Sequence, residues 1–345
     1  MSREGDNLED ARIKVEEICT VSPVGADLMM SAFYIAIQSY RRPSVCTPFP
    51  SNIFWKADHC LGGNNRDKDF EKASNCMDSM PSVEEISVGA LAHCPPETTR
   101  LALWLLDSKC VFTNVRHATY DDISRDLEST TSWPPERKDV CPSHILAVDR
   151  DETDSSLGFE GAKTAFHGTP GENLHSILRC GLLNLTGTRL QRNGNLFGAG
   201  IYLSTSLSVA YNFCSPAKRR WPKSQLGDAS SYVFVCKVKD EEQQRSSDVP
   251  QCETQTRPAG DTQELESSQL PDTYLLVQRS DLVQIRYIFV YSNGGAPVQA
   301  GSGSNLPPKG ARIDWCTLLI VGYVVLMAAI GLSQSNISKL LKTRF

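Results

Sequence analysis

The sequence predicts an α+β chain in three parts: a helical N-terminal domain, a strand-rich second domain and one C-terminal transmembrane helix. Three observations carry this. Helix-start signals recur through residues 1–111, and from about Val111 short β-like runs replace them. Near the end, Trp315 to Leu332 reads WCTLLIVGYVVLMAAIGL, 18 residues without a charge. A length of 345 residues, 40% of them hydrophobic, supplies core for two modest domains or one large one.

In the helical domain, Ser22-Pro23 is an N-cap and first-turn signal ahead of the apolar stretch Leu28 to Tyr40. Leu61 to Lys72 is rich in Gly, Asn and Asp and reads as a loop. Ser82-x-x-Glu85 is a capping-box pattern, and Pro95-Pro96-Glu97 opens a helix over Thr98 to Leu106. No catalytic constellation is visible here, so residues 1–111 read as a helical cap or regulatory domain.

The second domain, 112–291, carries strands at His144 to Val148, Ala165 to His167, Gly200 to Ser204, Tyr232 to Val238, Tyr274 to Gln278 and Ile285 to Tyr291. One helix is clear, Glu172 to Arg179, with Gly181 placed as its C′ residue. The segment 241–272 has no aromatic residue and is rich in Gln, Ser, Thr, Asp and Glu, so it reads as a disordered insertion between two strands. Residues 292–314 form a flexible linker, with five glycines and three prolines between Ser292 and Gly310.

The chargeless run 315–332 spans about 27 Å as a helix, close to the hydrocarbon thickness of an endoplasmic reticulum bilayer. It has no polar face, and 13 residues follow it, 333–345, a short lumenal tail. Met1 to Glu17 contains no apolar signal region, so the bulk of the chain is expected in the cytosol. Lys309 and Arg312 before the span balance Lys339, Lys342 and Arg344 after it. The size of the folded part therefore sets the orientation. The basic tail also suits the mitochondrial outer membrane, which stays open as the alternative destination.

A net charge of −5 excludes a basic footprint for nucleic acid, and Lys218-Arg219-Arg220 is too short to supply one. Twelve cysteines include no CxxC pair, and His59-Cys60 and His93-Cys94 lack a matching second half. No metal is expected, and the thiols read as free in a reducing compartment.

Four elements carry chemistry in order: AFHGT at 165–169, the Gly-ended helix at 172–181, LFGAGIYLS at 196–204 and YLLVQRSDLVQIRYIFVY at 274–291. Each alone is weak. Yet a strand ending in His-Gly sets an imidazole beside an exposed backbone amide and carbonyl, groups able to hold a ribose hydroxyl and a carboxamide together.

Together, over about residues 112–291, these elements resemble the catalytic domain of the poly(ADP-ribose) polymerase-like, diphtheria-toxin-like ADP-ribosyltransferases. SAFYIAIQSYRRPSVCTPFP at 31–50 and the C-terminal span resemble that family's tail-anchored mono-ADP-ribosyltransferases of the endoplasmic reticulum. The resemblance implies a split-sheet catalytic domain, NAD+ as substrate, no metal, and residence in the endoplasmic reticulum membrane and nuclear envelope.

It also implies roles for residues. His167 would hydrogen-bond the nicotinamide-ribose 2′-OH, Gly168 would meet the carboxamide through its backbone, and Thr169 would lie on the adenosine side. Tyr202 would stack on the nicotinamide ring. The second stacking wall falls on Phe213, with Tyr211 the other candidate, and the carboxamide-binding serine falls on Ser208 or, in another register, on Ala210. The third catalytic position, glutamate in chain-elongating members, is Tyr274. A phenol with a pKa near 10 is a poor base at neutral pH, so polymer growth should fail. A single transfer to Asp, Glu or Lys of protein acceptors is implied, including the enzyme itself and proteins of the same membrane.

Three other readings compete. A catalytically silent, membrane-tethered NAD or ADP-ribose binder fits the missing glutamate and the phenylalanine at 213. An RNA 2′-phosphotransferase would need cationic groups that this acidic chain does not offer. A plain membrane scaffold leaves the four ordered elements unexplained.

Overall fold

The computed structural model describes residues 2–57, 66–106, 114–127, 140–149, 159, 161–186, 198–217, 219–227, 229–239 and 272–292. All lie within one compact unit, Met1–Ser302. The expected insertion (241–272) falls outside the described residues except for Asp272, and the expected tether, span and tail (292–345) do so except for Ser292, which ends a strand. Among the described residues no single helix is long and apolar enough to cross a membrane.

The N-terminal part is built from α1 (Ser2–Val21), α2 (Pro23–Gln38), α3 (Arg42–Val45), α4 (Phe70–Ser79), α5 (Val83–Ser87) and α6 (Pro96–Leu106). Pro23 occupies the first turn of α2, where its missing N–H costs nothing. Ser22 does not cap that helix with its side chain: its Oγ donates instead to the Val115 carbonyl at 2.8 Å, 93 positions away. A long-range bond has taken the hydroxyl from the local one. Every residue of α2 from Gly25 to Ile37 is buried, so the helix is core on all sides.

At α5 both halves of the capping box form, Glu85 N–H to Ser82 Oγ at 3.2 Å and Ser82 N–H to Glu85 Oε2 at 2.7 Å. The loop expected over 61–72 is corrected at its C-terminal end. Arg66–Lys68 is a strand, β2, antiparallel to β1 (Trp55–Ala57). Asp69, inside the expected loop, caps α4, which starts at Phe70, by accepting from Lys72 N at 3.0 Å.

The remaining elements are β3 (Asn114–His117), α7 (Tyr120–Leu127), β4 (His144–Asp149), β5 (Lys163–Thr169), α8 (Leu174–Cys180), β6 (Ile201–Ser204), α9 (Leu207–Tyr211), β7 (Ala229–Val238), β8 (Tyr274–Val277) and β9 (Val283–Ser292). Seven of these strands form an antiparallel sheet in the order β3-β4-β9-β7-β5-β6-β8. Strands β4 to β9 stand where the apolar runs place them. Beyond the end of α8, Gly181 takes φ +78°, a conformation that favours glycine, and its N–H closes on Ile177 O at 2.8 Å.

The sheet is covered on both faces. One face, with Tyr232, Phe234, Ile288 and Val290, shares a continuous core with Leu28, Met30 and Phe33 of α2. The other, with Val233, Val235, Tyr287 and Phe289, packs on Ile123 and Leu127 of α7 and Leu207 of α9. A register shift between Val235 and Cys236 interrupts the ladder between the two longest strands, β7 and β9. The helical part is thus built onto the sheet through shared apolar burial.

One seam in the sheet is loose. Strands β5 and β7 pair along the whole length from Lys163 to Thr169. Strands β5 and β6 pair only at Phe166 and Ser204. Beyond that bridge the two strands no longer pair, and residues of both line one cavity.

Candidate active site

The cavity has a volume of about 660 Å³, of a size to take a ligand as large as a dinucleotide. Its wall carries His167, Gly168 and Thr169 from β5, Tyr202 from β6, Phe213 from the turn after α9 and Tyr274 from the start of β8.

Strand alternation sets His167. Its neighbour Phe166 points into the core beside Phe289, so the imidazole points to the opposite face. The Nδ1 of His167 lies 2.9 Å from the Tyr202 carbonyl. A carbonyl only accepts, so Nδ1 carries the proton and Nε2 keeps its lone pair. Burial pushes the pKa of the ring below the usual imidazole value, and the Tyr202 carbonyl offsets only part of that. The group is a neutral acceptor with its orientation fixed.

Two glycines let backbones approach. A Cβ on Gly168 would sit 1.7 Å from the Ala210 carbonyl oxygen, so no side chain fits between β5 and α9. A Cβ on Gly200 would meet Leu276 Cδ1 at 2.7 Å and Val277 O at 2.9 Å, which is the approach that pairs β6 with β8. That pairing sets Tyr274 opposite Ser204 and Tyr202 opposite Leu276. The Tyr202 hydroxyl donates to Gly198 O at 2.7 Å, holding the ring against the loop that precedes its own strand. Thr169 is buried, and its Oγ1 accepts from Asn173 Nδ2 at 3.0 Å.

Not every expected residue reaches the wall. Phe213 does, while 46% exposed. Tyr211 is turned away, its ring 4.7 Å from that of Tyr291 in the smaller core. Ser208 is half-buried on α9 and off the wall, whereas Ala210 is on it. Among the described residues no group of His, Cys, Asp and Glu is placed to hold a metal ion.

The helical part, which offers no catalytic constellation in the sequence, supplies wall as well: Arg41, Ser44, Val45 and Thr47. The available signal was the pair Arg41-Arg42, the only charged residues between Asp27 and Lys56. The structure separates the two. Arg42 lies over the Phe70 ring at 5.2 Å, and Arg41 Nη1 reaches Glu172 Oε1 at 3.0 Å.

Comparison with known proteins agrees with the geometry. Residues 18–106 match the family model described as ARTD15 N-terminal domain. Residues 119–293 match the poly(ADP-ribose) polymerase catalytic domain. The chain is 27% identical to protein mono-ADP-ribosyltransferase PARP16 of Mus musculus over 339 residues, 94% of this chain and 95% of that protein. It is likewise 27% identical to the Homo sapiens PARP16 protein, over 91% of each chain. Against protein mono-ADP-ribosyltransferase PARP8 of Mus musculus it is 28% identical over 229 residues, 63% of this chain and 25% of that one.

Proposed function

We infer, from a chain that belongs to the poly(ADP-ribose) polymerase catalytic-domain family and is an ADP-ribosyltransferase, that it moves a single ADP-ribose unit from NAD+ to proteins while anchored to an intracellular membrane. One observation carries the reading: an imidazole pinned through Nδ1 stands on the wall of a cavity with Tyr202 and Tyr274 on the same wall.

In this reading His167 Nε2 accepts a hydrogen bond from the nicotinamide-ribose 2′-OH. The Gly168 backbone meets the carboxamide, and Tyr202 stacks on the nicotinamide ring with Phe213 as the second, outer face. Thr169 faces the adenosine side. Of the two registers for the carboxamide-binding position, Ala210 lines the wall and Ser208 does not. NAD+ supplies a glycosidic bond whose cleavage releases neutral nicotinamide and leaves the ribose C1′ electron-poor. Such a centre is open to an acceptor carboxylate that is already ionised.

Tyr274 sets the limit of the reaction. A phenol does not deprotonate a ribose hydroxyl at neutral pH, so a second unit is not added to the first. Acceptors are Asp, Glu and Lys of proteins held close by, the enzyme itself included, because tethering raises their effective concentration. The chargeless run 315–332 and the likeness to PARP16 support an endoplasmic reticulum anchor with the catalytic part in the cytosol.

The test is incubation of the purified full-length protein with labelled NAD+, followed by mass spectrometry. One unit per site, absent in His167→Ala, is expected. Chains of two or more units would overturn the limit set by Tyr274. No transfer despite retained NAD+ binding would return the silent-binder reading. A fluorescent fusion of residues 292–345 should mark the endoplasmic reticulum, and mitochondrial staining would reassign the anchor.

A further inference from the structure

NAD+ carries two phosphates between its riboses, and a site for it needs positive charge. The strand elements offer none: His167 is neutral, and among the described residues on the cavity wall Arg41 is the only one with a permanent positive charge. Arg41 belongs to the turn between α2 and α3, in the helical part.

That turn is bolted to the helix that follows the His-Gly strand. Ser39 Oγ donates to Glu172 Oε2 at 2.5 Å, and Arg41 Nη1 donates to Glu172 Oε1 at 3.0 Å. Ser176 Oγ donates to Val45 O at 2.5 Å, and the His175 Nε2–H donates to Pro48 O at 2.8 Å. The Arg41 and Glu172 side chains are 18% and 17% exposed, so their pair is shielded more than a surface ion pair. A guanidinium presents five donors in a planar fork, and the pair to Glu172 occupies only the Nη1 edge. Glu172 lies five positions past His167, and Thr169, between them, lines the same wall. Moving along this stretch from the imidazole leads away from the nicotinamide ribose and toward Arg41, the order in which NAD+ presents its diphosphate.

We propose that the helical part completes the NAD+ site: Arg41, held in place by Glu172 and Ser39, binds the diphosphate. The inference rests on the NAD+ reading of this cavity. Arginine suits the task because its fork matches two phosphate oxygens, and pre-positioning by a carboxylate removes part of the entropy of ordering it. Arg41 acts on substrate binding, and bond cleavage belongs to the far end of the cavity.

The experiment measures binding of ADP-ribose and of nicotinamide, separately, to full-length protein in detergent, together with initial rates of automodification. Arg41→Gln should weaken ADP-ribose about ten- to a hundredfold and raise KM for NAD+ in step, the loss expected for one charged hydrogen-bond partner. Nicotinamide binding and kcat should stay within about twofold. Arg41→Lys should recover part of the affinity. Glu172→Gln should weaken ADP-ribose less than Arg41→Gln does, since the guanidinium remains and only its positioning is lost. Equal ADP-ribose affinity in Arg41→Gln and the parent overturns the proposal and leaves Arg41 a structural ion pair. Should Arg41→Gln lose nicotinamide too, it has misfolded and Glu172→Gln decides: nicotinamide retained with ADP-ribose affinity equal to the parent's refutes an Arg41 positioned by Glu172 for phosphate. Should the parent bind neither ligand, the NAD+ reading fails first.

Discussion

Two histidines eight positions apart, His167 on β5 and His175 on α8, sit in regions that differ in one respect. Each donates a ring N–H to a backbone carbonyl, His167 to Tyr202 and His175 to Pro48. Burial lowers the pKa of both. The second nitrogen separates them. At His167 it belongs to a residue on a cavity wall, where a ligand can meet it. At His175 the remaining Nδ1 is buried without a hydrogen-bond partner among the described residues, in a cage with Phe33 and Trp104. The same chemistry is thus a binding group in one region and a joint in the other. What decides is access to the free lone pair, and pKa alone does not.

The sharpest break would come from replacing each by alanine. His167→Ala should lower the transfer rate about 10²- to 10³-fold, as the loss of one positioned hydrogen-bonding group at a reacting centre does. Its unfolding midpoint should barely move. His175→Ala should keep its rate per folded molecule and lose roughly 2–4 kcal/mol of stability through the cavity left behind. Denaturant titration beside initial rates separates the two. A His175→Ala protein that is stable and inactive would erase the contrast.

Acid tests the same pair. In the folded protein His175 titrates at about 4, because burial disfavours the cation and Arg179 adds repulsion. In the unfolded chain it titrates near 6.5. Between those values the unfolded state binds more protons, so stability is complete above about pH 6.5 and falls as pH drops toward 4. The two limits imply a loss of about 3 kcal/mol from this residue. His167 is shifted in the same direction and adds to the slope. Melting curves from pH 7 to 4 should show the fall, and His175→Gln should flatten it. An unchanged slope would mean that the cage opens and hydrates at low cost.

Gly168→Ala sharpens the comparison at the cavity itself. The new methyl meets the Ala210 carbonyl, a backbone atom, so strand or helix has to move. A cost of about 1–3 kcal/mol is expected, as for overpacking elsewhere, with NAD+ affinity reduced by the shift of the wall. Calorimetry of NAD+ binding at constant protein folding checks it.

Legibility follows the range of the interaction that fixes each feature. Strands β4, β5, β7 and β9 show in the sequence because central strands buried on both faces need apolar runs, and β9 holds five consecutive buried residues, Tyr287 to Tyr291. The short strands β2 and β3, reading RDK and NVRH, have no such run; their partners define them. His-Gly is legible as chemistry since the strand alone sets which way the ring points. Arg41 is not, because its place depends on Glu172, 131 positions away. Ser22 misleads for the same reason: local capping was available, and the Val115 carbonyl took the hydroxyl.

The smallest effects test which side chains of the α9 region belong to the wall. Phe213→Leu keeps apolar bulk and removes the aromatic face, so KM for NAD+ should rise about two- to tenfold while stability holds, the residue being 46% exposed. Ser208→Ala should change KM less than twofold by the same reasoning, since Ser208 stands off the wall where Ala210 is on it. Steady-state rates across NAD+ concentrations measure both. A tenfold rise for Ser208→Ala would mean that α9 turns on binding and presents its other face to the carboxamide. The close contact between Gly168 and Ala210 opposes that rotation, because turning α9 by one residue would drive a side chain into the β5 backbone.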